Sequence, residues 1–99
     1  MTHAEEILSS VAILVKKKGK STFSRKEIRD QLGLNHIDWM ARYTAIFQAM
    51  RIDHPGGAPL IGERYVGVFI RIERGIYKLT PYGRSLIERS LTTDSTKKD

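Results

Sequence analysis

The chain has 99 residues, of which 28% are charged and 40% are hydrophobic, with a formal net charge of +6. This is the composition of one ordinary globular domain with an excess of cations, which favours polyanionic partners such as nucleic acid or an anionic membrane surface. Because the chain has no cysteine, disulfides, thiolate metal sites and cysteine nucleophiles are excluded, and a reducing cytoplasm is the expected location. No apolar run approaches the length of a membrane span, so no membrane partner is expected.

The first predicted helix has a recognisable start and end. Thr2 and Glu5 match the capping-box pattern, and apolar residues at helical spacing follow them. The lysine run 16–18 and Gly19 are typical of a helix C-terminus, where cations and a left-handed glycine are favourable. The same lysines could instead contact phosphate, and the sequence leaves both interpretations open.

The second predicted helix follows a short extended piece at Phe23. Ser24 and Glu27 form another capping-box pattern, so the helix begins directly after Ser24. Ile28 and Leu32 recur at helical spacing and are expected to point inward. A glycine at position 33 ends the helix, and a tight turn leads into the next one.

The third predicted helix begins near His36 or Asp38 and continues to about Arg51. At 100° per residue, one broad stripe of this helix is apolar and is predicted to face the core. The stripe consists of Trp39, Met40, Tyr43, Ile46, Phe47 and Met50. The opposite face carries Asp38, Ala41, Ala45, Gln48 and Ala49, with Arg42 at its edge. Its alanines give low relief, so a duplex groove or another helix could approach closely, although alanine is also simply a good helix former.

Residues 53–62 are rich in glycine and proline and are predicted to form a loop. The glycines could suggest a phosphate cradle. However, no Gly-Lys-Ser/Thr follows them and no strand–loop–helix frame surrounds them, so a plain connection is the preferred interpretation.

A β-hairpin is predicted around residues 74–75, an Arg-Gly pair. Glycine at the second position of a two-residue turn accepts the positive φ that type I′ demands. In the register that follows, Ile72 lies opposite Tyr77 and Ile70 lies opposite Leu79. These four side chains then share the inner face of the hairpin. A three-residue loop would instead place Ile70 opposite Lys78 and mix core and charged side chains on one face, so the two-residue loop is preferred.

The outer face of this predicted hairpin places like charges together. Arg71 lies opposite Lys78, where the two cations repel unless a phosphate lies between them. With Arg74 at the tip and Arg64 at the base, the hairpin becomes a cationic finger. Glu73 offers a purely structural alternative, because its carboxylate is a diagonal neighbour and could offset the repulsion.

The last predicted helix begins after Thr80 as its N-cap, with Pro81 in the first turn, where proline is well tolerated. Gly83 is predicted to let this helix lie close to the sheet, so that the helix anchors the hairpin on the core. The apolar side of the helix consists of Leu86, Ile87 and Leu91. The polar segment 92–99 is expected to be a disordered tail after a single domain that spans residues 1–91.

The order helix, short strand, helix, turn, helix, hairpin, helix resembles a winged helix-turn-helix domain over residues 4–91. The stretch RGIYKLTPYGRSLIE is similar to the wing-to-last-helix segment of many such domains, which commonly reads Gly-x-Tyr-x-Leu-Thr-x-x-Gly-Arg. The chain is most similar to PadR-like regulators and to the N-terminal winged-helix domains of Mrr-type restriction systems, the latter also through residues 39–43. The resemblance implies an α+β fold with a three-helix core, a β-hairpin wing and a C-terminal helix.

The resemblance also implies double-stranded DNA as the partner. The third helix would lie in the major groove, where Arg42 could read guanine and Gln48 adenine, and the wing would follow the adjacent backbone or minor groove. Arg25 and Lys26 would contact phosphate, helped by the dipole of the second helix. The implied DNA-binding residues are Arg25, Lys26, His36, Asp38, Arg42, Ala45, Gln48, Arg64, Arg71, Arg74 and Lys78. The expected function is that of a transcriptional regulator, or an accessory of a DNA-processing or restriction system, associated with the nucleoid.

Enzymatic activity is not expected. The histidines at positions 3, 36 and 54 have no metal-ligand spacing, no serine lies in a nucleophile elbow, and no cofactor is implied. The main alternative is a protein-binding module without direct DNA contact, since the alanine face would suit a helical partner. A dimeric repressor, with the first and last helices at its interface, is a further hypothesis.

Overall fold

The computed structural model describes residues 2–52 and 62–97. Within these ranges, helices pack around a two-stranded antiparallel sheet, which confirms the predicted α+β class. The loop predicted at residues 53–62 lies outside the described residues, except for Gly62. None of the described helices is long and apolar enough to cross a bilayer.

The first helix starts as predicted. Helix α1, His3–Ala12, begins at a capping box in which the Thr2 hydroxyl accepts a 3.2 Å hydrogen bond from the Glu5 backbone N–H. The Glu5 carboxylate in turn accepts a 3.1 Å hydrogen bond from the Thr2 N–H. A π-helical turn, Ile13–Lys17, continues the helix, and Gly19 follows with a left-handed φ of 68°.

The second helix also has its predicted limits. Helix α2, Arg25–Leu32, is capped by Ser24 and Glu27 through the same pair of reciprocal hydrogen bonds. Gly33 ends it with a φ of 72°, in the left-handed region that glycine adopts without steric cost. Ile28 is fully buried, as predicted.

The third predicted helix consists of three segments, which we together call the central helix. They are α3, His36–Asp38, a π-helical turn, Trp39–Tyr43, and α4, Thr44–Ala49. Asn35 caps the start, since its side chain accepts a 2.8 Å hydrogen bond from the Asp38 backbone N–H. At the π turn, the Thr44 N–H bonds to the Trp39 carbonyl five residues earlier.

The π turn corrects part of the predicted core stripe. Trp39, Tyr43, Phe47 and Met50 are buried as predicted, but the Met40 side chain is 53% exposed. Met40 lies within this turn, whose wider hydrogen-bond spacing breaks the 100° periodicity on which the predicted stripe depends. The prediction assumed an uninterrupted α-helix and therefore placed Met40 on the wrong face.

The hairpin consists of β1, Phe69–Glu73, and β2, Ile76–Leu79, joined by the predicted Arg-Gly turn. The turn is not type I′, because that type needs positive φ at both central residues and only Gly75, at 78°, has it. Glycine is still required at this position because side chains rarely adopt such a φ.

The predicted register of the hairpin is wrong. The observed pairs are Phe69 with Leu79, Ile70 with Lys78, Arg71 with Tyr77, and Glu73 with Ile76. A β-bulge between Arg71 and Glu73 leaves Ile72 without a partner. One extra residue shifts the ladder by one position, which moves every preceding side chain to the other face. The predicted pairs Ile72–Tyr77, Ile70–Leu79 and Arg71–Lys78 are therefore not formed.

The last helix, α5, Pro81–Lys97, is joined directly to the hairpin. The Thr80 hydroxyl accepts a 3.0 Å hydrogen bond from the Gly83 N–H and lies 2.6 Å from the Gly67 carbonyl oxygen, to which it donates. A Cβ built on Gly83 would overlap the Val68 carbonyl oxygen. The predicted N-cap and the predicted close approach of the glycine are confirmed. The disorder expected for residues 92–99 stays a prediction.

Aromatic rings from four segments meet in the core. The ring centroid of Phe47 lies 4.8 Å from that of Tyr77 and 5.0 Å from that of Phe69. Phe23 completes the cluster and exchanges backbone hydrogen bonds of 2.9 and 2.8 Å with Tyr77. The predicted extended piece at Phe23 is thus a single antiparallel bridge beside β2.

Candidate nucleic-acid interface

Four basic side chains surround a surface pocket where α2 and the central helix begin. The pocket has a volume of about 310 Å³. It is lined by Arg25, Lys26, Arg29, His36, Trp39 and Met40. The structure thus brings together three of the predicted DNA-binding residues, Arg25, Lys26 and His36.

Two helix caps position these side chains. Ser24 fixes the start of α2, so Arg25 and Lys26 are its first two residues. Asn35 fixes the start of the central helix, so His36 is its first residue. The free backbone N–H groups and the dipole at the N-terminus of α2 add positive potential to that of the side chains.

The pocket retains an excess of positive charge. Lys26 Nζ lies 2.7 Å from one Asp30 oxygen, and Arg29 Nε lies 3.7 Å from the other. The hydrogen bond from Lys26, helped by the charge of Arg29, lowers the pKa of Asp30 and keeps its carboxyl ionised. A single carboxylate thus faces two cations, and Arg25 has no ion pair with any described residue.

Arg29 is a pocket residue that the sequence interpretation missed. Its Nε is buried without a hydrogen-bond partner, and its Nη1 lies 3.4 Å from Nδ1 of His36. The spacing of four residues from Arg25 on one helix was a signal for this position, because residues at i and i+4 lie on the same face. Because Nε is closed to solvent, an anion in the pocket could contact Arg29 only through the end of its guanidinium group.

Unlike the cations of the pocket, the cations of the hairpin do not surround a common space. Arg71, Arg74 and Lys78 are exposed and form no ion pair with any described residue. Residues paired across strands share a face, so Arg71 lies on the face of Tyr77 and Lys78 on that of Ile70. The predicted phosphate site between Arg71 and Lys78 is therefore excluded. Arg74 lies in the turn, as predicted.

Arg64 lies outside the hairpin, in a short 3₁₀ turn, Glu63–Tyr65. Its guanidinium carbon lies 5.8 Å from the centre of the Tyr65 ring. Hydrogen bonds from Thr2 lower the pKa of Glu5, and the charge of Arg64 adds a smaller contribution. Arg64 is exposed, and its charge acts on Glu5 at the start of α1.

The predicted outward face of the central helix is exposed in part. Ala41, Arg42 and Ala45 lie on the surface, whereas Asp38, Gln48 and Ala49 are half-buried. The Gln48 side-chain oxygen accepts a hydrogen bond from Arg51, so its amide already has a partner within the protein. Ile37, which the sequence interpretation did not place, is 76% exposed.

The described carboxylates are largely occupied by contacts within the protein. Those with a lowered pKa are Glu5, Glu6, Glu27, Asp30 and Glu88. In each, the largest cause is a hydrogen bond that stabilises the ionised form. Glu27, Asp30 and Glu88 form ion pairs with lysines, so these acids neutralise part of the cationic surface and leave the remaining cations in excess.

The lysine run at the end of the first helix is divided between two roles. Lys16 Nζ lies 2.8 Å from the Glu88 carboxylate, so this lysine forms a surface ion pair between the end of the first helix and α5. Lys17 and Lys18 are exposed and have no ion pair with the described residues. Among the described residues, no group of three or more potential ligands is placed to hold a metal ion.

Comparisons with models of known protein families, with curated proteins and with solved structures found no match.

Proposed function

We propose that the chain is a winged-helix domain that binds double-stranded DNA. The observation that carries the proposal is the pocket at the start of α2, where Arg25, Lys26, Arg29 and His36 surround about 310 Å³ of open space. A phosphate group in the pocket would offset this excess of positive charge and accept hydrogen bonds from the basic side chains around it. Phosphate contacts of this kind supply most of the affinity of proteins for duplex DNA.

Two further observations support the proposal. The elements follow the order that the resemblance implies, with the hairpin between the central helix and the last helix. The hairpin also carries three exposed cations, Arg71, Arg74 and Lys78, that have no ion pair with the described residues. The pocket would hold one stretch of backbone, and the hairpin would contact a second.

Titration of a labelled duplex by fluorescence anisotropy at two salt concentrations tests the proposal. Contact with three or four phosphates predicts that a fourfold rise in salt weakens binding by about 40- to 150-fold. The variant Arg25→Ala/Lys26→Ala is expected to reduce the salt slope by about one, because both side chains are proposed to bind the same phosphate. Arg84→Ala/Arg89→Ala removes the same charge from exposed positions of α5 and is expected to leave most of the slope intact. Binding that is weak and independent of salt contradicts the proposal.

A protein-binding module is the second candidate, because the outward face of the central helix is apolar at Ile37 and Met40. Exposed apolar groups of this size are typical of interfaces between proteins. A dimer through α1 and α5 is compatible with either function. Sedimentation distinguishes the oligomeric states, and a stable monomer at micromolar concentration argues against a reader of palindromic sites.

A further inference from the structure

Part of the exposed surface of the central helix is apolar. Ile37 is 76% exposed and Met40 is 53% exposed, and Ala41 and Ala45 continue the surface along the helix. We call these four residues the methyl surface. A surface helix normally directs such side chains inward, and an apolar surface that adjoins a basic one suits a partner that carries both apolar and anionic groups.

The polar side chains beside the methyl surface are mostly occupied. The Thr44 hydroxyl lies 3.4 Å from both the Trp39 carbonyl oxygen and the Met40 sulfur. The Gln48 side-chain oxygen accepts a hydrogen bond from Arg51. Of the polar residues here, Arg42 alone is both exposed and without a hydrogen bond to the described residues. The surface can therefore make few of the hydrogen bonds that read base edges.

The methyl surface is continuous with the basic pocket. Met40 lines the pocket together with Arg25, Lys26 and Arg29. A DNA backbone held by these cations would lie alongside Ile37 and Met40, with one groove edge turned toward them. Charge complementarity thus identifies the occupant of the apolar surface as a polyanion that also carries apolar groups.

We infer that the central helix contacts the 5-methyl groups of thymine in the major groove, through Ile37 and Met40. This inference rests on the proposed DNA-binding function. The thymine methyl is the apolar group that base pairs present in the major groove, and aliphatic side chains are its usual partners. Arg42, at the edge of the surface, is placed to add one polar contact beside the methyl groups.

The test uses two A·T-rich duplexes of the same sequence, one with thymidine and one with deoxyuridine throughout. The two have the same charge and the same hydrogen-bonding groups, and differ in the methyl groups alone. Loss of one contacted methyl is expected to weaken binding about fourfold, and loss of two about 15-fold. The salt dependence is expected to be the same for both duplexes, because it reports phosphate contacts.

Protein variants identify the surface that makes the contact. Ile37→Ala/Met40→Ala is expected to bind both duplexes equally, because the contacting side chains are truncated at exposed positions. Val66 is an exposed apolar residue outside the central helix. The control variant Val66→Ala is expected to retain the wild-type ratio of affinities for the thymidine and deoxyuridine duplexes. Circular dichroism confirms that each variant is folded.

The outcomes separate the inference from the proposed function. Equal, salt-dependent affinity of the wild type for both duplexes overturns the inference and leaves DNA binding in place. A ratio that persists in Ile37→Ala/Met40→Ala also overturns it. Failure of the wild type to bind either duplex at low salt overturns the proposed function itself.

Discussion

The pocket at the start of α2 and the hairpin both carry several cations, but they arrange them differently. In the pocket, Arg25, Lys26 and Arg29 face one open space. In the hairpin, a single bulge places Arg71 and Lys78 on opposite faces of the sheet. Helix caps determine the position of every side chain in the first turn, whereas one additional strand residue reverses the face of all those before it. A capped helix start therefore places several cations around one point more reliably than a short hairpin does.

The largest expected effect is on the support of the hairpin. In Gly83→Ala the new methyl group would overlap the Val68 carbonyl oxygen, and a backbone atom cannot move aside cheaply. We expect a loss of stability of about 2 to 4 kcal/mol, measured by urea unfolding. Ser85→Ala, at an exposed position of the same helix, is the control and is expected to change stability by less than about 0.5 kcal/mol. A stable Gly83→Ala protein would show that the hairpin does not need the close approach of α5.

A double-mutant cycle in the pocket tests whether its cations act together. Arg25→Ala, Lys26→Ala and the double variant are compared for duplex affinity. If both side chains bind one phosphate, their effects are coupled by about 1 kcal/mol. Additive effects would mean that the two residues contact separate groups. The pocket would then resemble the hairpin, whose cations are expected to act independently.

The capping box of α2 can be tested through pH. The hydrogen bond from Lys20 is the largest cause of the lowered pKa of Glu27, whose ordinary value is 4.5. Because the pKa of the folded form is depressed, Glu27 contributes stability above about pH 4.5, and the contribution is lost as the pH falls through the lower, folded value. Glu27→Gln keeps a hydrogen-bonding side chain and is expected to flatten this part of the pH–stability curve. An unchanged pH–stability curve would show that the ionised carboxylate of Glu27 does not contribute to stability.

The smallest expected effect concerns the hairpin itself. Since Arg71 and Lys78 lie on opposite faces, their alanine variants are expected to be additive in duplex affinity to within about 0.5 kcal/mol. Removing both is not expected to stabilise the fold, because no repulsion between them is relieved. Strong coupling, or a marked gain in stability, would support a register in which the two cations lie side by side.

Local features that only certain residue types can form could be predicted from the sequence. The capping boxes at Thr2 and Ser24, the left-handed Gly33 and the close approach of Gly83 follow from hydrogen bonding and steric size. Each depends on residues within one turn of the helix. The residue types therefore predict the geometry without knowledge of the rest of the fold.

Two one-residue irregularities were not readable. The π turn at residues 39–43 and the bulge at Ile72 each insert one residue into a regular repeat. Neither contains a glycine or proline that would mark it, and both depend on packing against distant segments. As a result, the exposed position of Met40 is not predicted, and the register that pairs Ile70 with Lys78 is disfavoured because it mixes apolar and charged side chains on one face. Those two points decide which surfaces could contact a ligand.

The bridge at Phe23 links the two regions mechanically. Its two backbone hydrogen bonds to Tyr77 tie β2 to a residue that immediately precedes the cap of α2. These hydrogen bonds therefore fix the distance between the tip of the hairpin and Arg25. A rod-shaped ligand that engages both must match this span, and one with a different width would have to be deformed to fit.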